Sequence, residues 1–181
     1  MKNLSRASFE ALPEKVQSSL GATPEWFEKP ATFQAAMRKT FAYTSRADAA
    51  VGEICRALKE QGLDQNTVVI HLSDNGSMEG AHGLEGKWLM YEESIHVPLI
   101  IRDPRLPQST RGRRSQMALN IDLAPTLQPW LRNPKAKGRD DWYYEHTYNT
   151  DPPRKPIPKS EGVRTERWKY IRYTESQPPL E

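Results

Sequence analysis

The sequence predicts an α/β fold followed by a small antiparallel β subdomain, and three patterns lead there. Apolar residues Phe33, Met37, Phe41, Val51, Ile54, Cys55 and Leu58 recur largely at spacings of three, four or seven, the period of a long amphipathic helix, and Gly62 suits its C-cap. A short apolar run without helical spacing follows at Val68, Val69 and Ile70, the pattern of a strand covered on both faces in a parallel sheet. Farther on, Trp142-Tyr143-Tyr144 and Val163 to Tyr173 read as strands. The proline-rich loop Asp151 to Lys159 between them offers no crossover helix, so they pair antiparallel.

In chain order, residues 1 to 30 contain Pro13, Pro24 and Pro30 among short apolar fragments. They read as irregular, with at most a helical turn or two and no chemistry. After the helix, Asp64 to Asn66 make the turn into a strand at Thr67 to Leu72, completing one unit of an α/β layer. A second strand is expected at Val97 to Arg102, closed by Asp103-Pro104 and Pro107, and a polar loop runs on to about Gln116. Met117 to Leu127 predicts a helix with Asn120 or Asp122 near its start, broken at Pro129. Asn133 to Asp141 is basic and turn-rich, and no internal repeat is present.

At 181 residues the chain is long enough for one domain, or one and a small appendage. Its apolar content of 36% is low, and its 15 prolines exceed the usual share of about 5%. A chain cut from a larger protein would account for both. The net charge of +3 and pI near 9.0 permit loose attraction to polyanions. The densest basic group, Arg111-Gly112-Arg113-Arg114, has no interleaved aromatics and reads as a solvated loop, so no nucleic-acid partner is expected. No run reaches the roughly 18 to 20 apolar residues of a membrane span, and the first residues lack the apolar stretch of a signal peptide. No membrane partner is expected, and either the protein is cytoplasmic or its true amino terminus is absent. The single cysteine, Cys55, excludes an internal disulfide; its helical phase points to core packing.

The chemistry is concentrated between Ser73 and Lys87. Ser73-Asp74-Asn75-Gly76 stands where the backbone leaves the carboxyl end of a strand, the place where open α/β sheets bind ligands. Asp74 and Asn75 offer an anionic and a neutral oxygen, a donor pair suited to Ca²⁺ or Mg²⁺. Two donors do not complete a coordination sphere of about six to eight oxygens, and Asp-Asn-Gly is also a common turn. The spacing excludes an EF-hand. Lys87 lies thirteen residues after Asp74, beyond glycines 76, 80, 83 and 86. A lysine held over an anion pocket by such a loop suits phosphate or sulfate chemistry; a surface lysine is the plainer reading. A Walker A loop fails, because the gap from Gly80 to Gly86 is one residue too long and Trp88 replaces the magnesium-binding Ser or Thr. His82 could protonate a leaving oxygen, hydrogen-bond a substrate or serve the loop's structure. His71 and His96 read as packing or hydrogen-bonding residues, and Glu92 and Glu93 as helix N-terminal or loop acids.

The ordered blocks Ser73-Asp74-Asn75-Gly76, His82-Gly83, Gly86-Lys87-Trp88, Tyr91-Glu92-Glu93-Ser94 and Val97-Pro98-Leu99-Ile100-Ile101 resemble the type I, arylsulfatase-like sulfatases of the alkaline phosphatase superfamily. The resemblance continues through Asn120 to Thr126, Glu161 to Thr165 and Lys169 to Ile171, covering most of the chain from about Phe33. It implies the carboxyl-terminal portion of such an enzyme. Residues 1 to 128 would belong to a partial alkaline-phosphatase-like α/β/α layer, and residues 129 to 181 to an incomplete antiparallel subdomain.

The same resemblance assigns calcium binding to Asp74 and Asn75, with magnesium possible, and sulfate contact to Lys87. It matches His82 to a recurrent loop histidine. The implied substrate is a sulfate-ester small molecule or a sulfated glycan. The sequence departs from the family in lacking the C-x-P-S-R nucleophile motif: Cys55 is followed by Arg56-Ala57-Leu58, and the family's upstream metal-binding aspartates are missing with the motif. The connection from Thr126 to Trp130 is also short, and the chain stops at Glu181, about where the family usually continues. A polypeptide inactive by itself is therefore expected. The alternatives are a phosphodiesterase or phosphonate hydrolase of the same superfamily, or a noncatalytic module binding an anion or a partner. A strand without its covering layers also predicts an exposed apolar face.

Overall fold

The computed structural model describes residues 5–127, 139–150 and 153–175, which form two compact units. The first runs up to Lys87 and resumes over Tyr91–Arg111; the second comprises Trp88–Met90 and the chain from Gly112. The domain boundary expected after residue 128 lies outside the described residues.

In the first unit, α1 (Arg6–Glu10), α2 (Glu14–Gln17) and α3 (Glu25–Glu28) precede the 31-residue α4 (Pro30–Glu60). The expectation of an irregular amino-terminal segment is thus corrected. Each helix is too short to be stable alone, but Phe9, Val16, Ala22 and Trp26 are buried and hold the segment in place through tertiary contact. The Phe9 and Phe27 rings lie 5.9 Å apart, and Trp26 meets Phe33 of α4 at 5.2 Å. Pro30 occupies the first turn of α4, where no N–H is needed.

The helix ends as the sequence predicts. Gly62 adopts φ +70°, Leu63 N–H donates to the Leu58 carbonyl at 2.9 Å and Gly62 N–H to that of Lys59 at 3.1 Å. This is the Schellman arrangement. Its apolar stripe is largely uncovered: Met37 alone is buried, while Phe41 and Ile54 are exposed. Cys55 is also exposed, contrary to the core position read from its phase, because no described element packs on that part of α4.

After a 3₁₀ turn at Asp64–Asn66, β1 (Val69–Leu72) pairs with β2 (Leu99–Arg102); between them lies α5 (Glu92–Ile95). The pairing is antiparallel, with Ile70 opposite Ile101 and Leu72 opposite Leu99. A parallel strand covered on both faces is therefore not what the described residues form. His71, Leu72 and all four residues of β2 are exposed, and the expected uncovered apolar face is present. At the end of β2 the buried Asp103 accepts hydrogen bonds from Arg105 N–H, Nε and Nη2 at 3.0, 2.8 and 2.7 Å. Among the described residues no helix is long and apolar enough to cross a membrane.

In the second unit a 3₁₀ turn at Asn120–Asp122 leads into α6 (Leu123–Leu127). It is followed by the sheet β3 (Asp141–His146), β4 (Ser160–Thr165) and β5 (Lys169–Tyr173), antiparallel in that order. The single strand expected over Val163 to Tyr173 is two strands. Thr165 N–H reaches the Trp168 carbonyl at 2.8 Å and Trp168 N–H reaches Thr165 Oγ1 at 2.8 Å, closing a hairpin. Trp88–Met90 lies on one face of this sheet: Tyr144 Oη donates to the Trp88 carbonyl at 3.0 Å, and a Cβ at Gly162 would strike Met90 Sδ. Burial pushes the Tyr144 phenol above its ordinary pKa. The fold class is thus mixed α/β, helices with antiparallel sheets.

Asp122 ties the start of α6 to the sheet's approach strand. Its carboxylate accepts Leu119 N–H at 2.9 Å and Arg139 Nη2 at 2.6 Å, and the Arg139 guanidinium holds it below the usual carboxylate range. A carboxyl group so depressed stabilises the fold above its unfolded pKa and ceases to do so as pH falls through the folded value. Asp122→Asn should therefore cost about 1–2 kcal/mol at neutral pH. Urea melts should show the gap between variant and native protein closing below about pH 4, where the unfolded aspartate protonates.

Candidate functional site

The site belongs to the first unit and begins where β1 ends. Ser73 Oγ donates to the Asn75 carbonyl at 2.8 Å, and Asp74 Oδ1 accepts Asn75 N–H at 2.9 Å. This self-closed turn sets the two side chains. The Asn75 amide donates to the Gly76 carbonyl at 2.8 Å, so its Oδ1 turns the other way, and there it accepts Lys87 Nζ at 2.6 Å. The turn is tied to α5 by Gly76 N–H, which donates to the Ser94 carbonyl at 2.8 Å. A Cβ at Gly76 would strike the Glu93 carbonyl oxygen; only glycine permits that approach.

Lys87 arrives at Asn75 because the intervening loop closes on itself. Met78 N–H donates to the Gly86 carbonyl and Gly80 N–H to that of Leu84, each at 2.8 Å. Met78 and Leu84 are almost fully buried. The amino-terminal helices clamp this loop from outside: the Gly83 carbonyl accepts both the N–H and the hydroxyl of Thr23, each at 3.0 Å, and Glu85 N–H donates to the Gly21 carbonyl at 2.8 Å. Gly83 has φ +74° and the Phe27 and Phe9 rings fill the space a Cβ would need, so two independent constraints require glycine here. Burial, with the nearby Glu25 charge, raises the Glu85 pKa.

Of the residues singled out in the sequence, the structure joins Asn75 and Lys87 by a hydrogen bond, and Asp74 is their exposed neighbour. His82 is in the same loop but makes no hydrogen bond to these three. Its backbone is left-handed at φ 57°, and its ring lies 5.2 Å from that of Tyr91. His71 and His96 are exposed, contrary to the packing role expected for them. Glu92 and Glu93 occupy the first turn of α5 as expected, where carboxylates suit the helix dipole. Tyr91, Ser94 and Thr23 received no role from sequence. The first two lie in a recognised block; nothing local marked Thr23.

The donor set suits a hard cation in kind. Asp74 is exposed, and its Oδ2 accepts no hydrogen bond among the described residues. The adjacent Asn75 Oδ1 is the second oxygen. It is insufficient in number: among the described residues no group of three or more His, Cys, Asp or Glu could hold a metal.

The architecture is the alkaline-phosphatase-like α/β fold. A 2-O GAG sulfatase superposes with a TM-score of 0.73 over 97% of this chain and 42% of its own, at 20% identity. The Sulfatase family model matches residues 6–133, and the chain belongs to the sulfatase family. That match takes in the amino-terminal helices, ahead of the point near Phe33 where local motifs begin. The N-acetylglucosamine-6-O-sulfatase of Bacteroides thetaiotaomicron is 30% identical over 161 residues, 78% of this chain, and the chain spans 28% of that protein's length. The phosphonate monoester hydrolase of Agrobacterium radiobacter is 28% identical and superposes with a TM-score of 0.61 over 75% of this chain and 32% of its own.

The close approach at Gly76 gives a local test. Gly76→Ala should destabilise the protein by roughly 1–3 kcal/mol through overpacking against α5, read as a lowered urea midpoint. A midpoint equal to that of the native protein would mean that the turn and α5 are not packed as described.

Proposed function

We propose that this chain supplies the cation- and sulfate-binding part of a sulfuric ester hydrolase site. The observation that supports the reading most directly is the 2.6 Å bond between Lys87 Nζ and Asn75 Oδ1, which brings two family motifs together. Asp74 and Asn75 are the residues that would hold a divalent cation, calcium by resemblance and magnesium as the alternative. When bound, the cation would supply electrostatic stabilisation of charge on the ester's nonbridging oxygens. Lys87 carries a fixed positive charge to the same place and orients the sulfate group. His82, held by Tyr91, hydrogen-bonds the substrate near the leaving oxygen. The substrate class is a sulfate ester, and a sulfated glycan fits best, because the N-acetylglucosamine-6-O-sulfatase is among the relatives.

The nucleophile is not part of this contribution. The sequence has no C-x-P-S-R motif, and Cys55 sits in α4 without the following residues of that motif. A second reading, hydrolysis of a phosphonate monoester, is favoured by the likeness to the Agrobacterium radiobacter phosphonate hydrolase.

Calorimetric titration of the purified chain with calcium should show weak binding, since two donors replace a set of about six to eight. Asp74→Ala should abolish that heat. Lys87→Ala should spare it and remove the binding of inorganic sulfate. No turnover of an aryl sulfate or of glucosamine 6-sulfate is expected from the chain alone. Turnover that Asp74→Ala eliminates would sink the assignment of a noncatalytic half, and calcium binding indifferent to Asp74→Ala would sink the assignment of the cation site.

A further inference from the structure

The sheet β1–β2 is unfinished in a way that specifies what would finish it. Ile70, Leu72, Leu99 and Ile101 share one face, since the register pairs Ile70 with Ile101 and Leu72 with Leu99 and alternate residues point the same way. All four are aliphatic. Leu72, Leu99 and Ile101 are 38%, 39% and 39% exposed, values that belong to a surface awaiting cover rather than to a core. Among the described residues β1 and β2 pair only with each other, so the outer backbone edge of each strand carries donors and acceptors without a strand partner. A two-stranded ribbon is marginal in water, and an apolar strand edge is a template for further strands.

We infer that this face and these edges dock a strand-bearing polypeptide segment from the remainder of a sulfatase fold, distinct from the residues of this chain. Two observations select that occupant. Open edges flanking an aliphatic face call for β-strands, whose backbone pairs at the edge while apolar side chains cover the face. The solved sulfatase that superposes on 97% of this chain does so with 42% of its own length, so the fold to which β1 and β2 belong has a larger part beyond the elements present here. A second copy of this chain would offer the same aliphatic face but none of that missing part. The inference rests on family membership and is independent of the roles given to Asp74, Asn75 and Lys87.

The test is co-expression of the full chain with a tagged segment of the Bacteroides thetaiotaomicron N-acetylglucosamine-6-O-sulfatase comprising the part that this chain does not align with. Size-exclusion chromatography with light scattering should show a 1:1 complex. The double substitution Leu99→Glu, Ile101→Glu should lower its yield by at least about tenfold, because it would bury unpaired carboxylates. Ile100→Glu, on the opposite face of β2, should retain the complex. Circular dichroism should show native helix content in every variant, since the replaced side chains are exposed. The Asp74→Ala protein should bind the segment as the native chain does, which separates failure of the cation-site assignment from failure of this inference. A chain that remains alone beside the segment would overturn the proposal. So would a homodimer that the double substitution dissolves, or equal loss of the complex in Ile100→Glu.

Discussion

Two hydrogen bonds converge on the carbonyl oxygen of Gly83, one from the Thr23 N–H and one from the Thr23 hydroxyl, each 3.0 Å long and buried. They close the loop that carries Lys87 onto the amino-terminal helices. Because Phe9 and Phe27 occupy the space where a Gly83 side chain would stand, the loop's path and the packing of α1 and α3 are a single constraint. A buried carbonyl deprived of such partners costs about 1–3 kcal/mol, and here the loss would be transmitted directly to the position of the lysine. The segment richest in chemistry is thus shaped by one that has none.

Within that frame the bond from Lys87 to Asn75 is local electrostatics. An ammonium donates to an amide oxygen that has no other freedom, since the same amide is anchored through its nitrogen to the Gly76 carbonyl. Charge-assisted bonds of this kind are short and directional. Asp74 stays outside the pair with one oxygen engaged by Asn75 N–H, leaving an exposed carboxylate beside a positive charge. Cation and anion sites placed this close can neutralise opposite parts of one bound ester.

Much of this was legible before any coordinates. The long helix, its termination at Gly62, the strands near Val69 and Leu99 and the order of the motif blocks follow from periodicity and local chemistry, which act over a few residues. The misreadings share a cause. Val68 to Ile70 reads as a doubly covered parallel strand because apolar continuity encodes burial, and here the covering layers are absent among the described residues. Cys55 and Ile54 read as core for the same reason. The hairpin inside Val163 to Tyr173 was invisible because its turn, Glu166 to Trp168, contains no glycine or proline; the Thr165 and Trp168 hydrogen bonds close it. Residues 6 to 28 were read as irregular because each helix is only four or five residues long and is held by distant partners.

By itself the sequence determined which groups are available and in what order: Asp74 and Asn75 for a cation, His82 in a glycine-rich loop, Lys87 for an anion, and the family to which that order belongs. Only the tertiary structure decided that Lys87 meets Asn75 while His82 turns instead to Tyr91. The physical reason is range. A turn such as Ser73 to Gly76 is closed by its own neighbours, whereas the loop after it takes its shape from Thr23, sixty residues away along the chain, and no local pattern encodes a contact made at that distance.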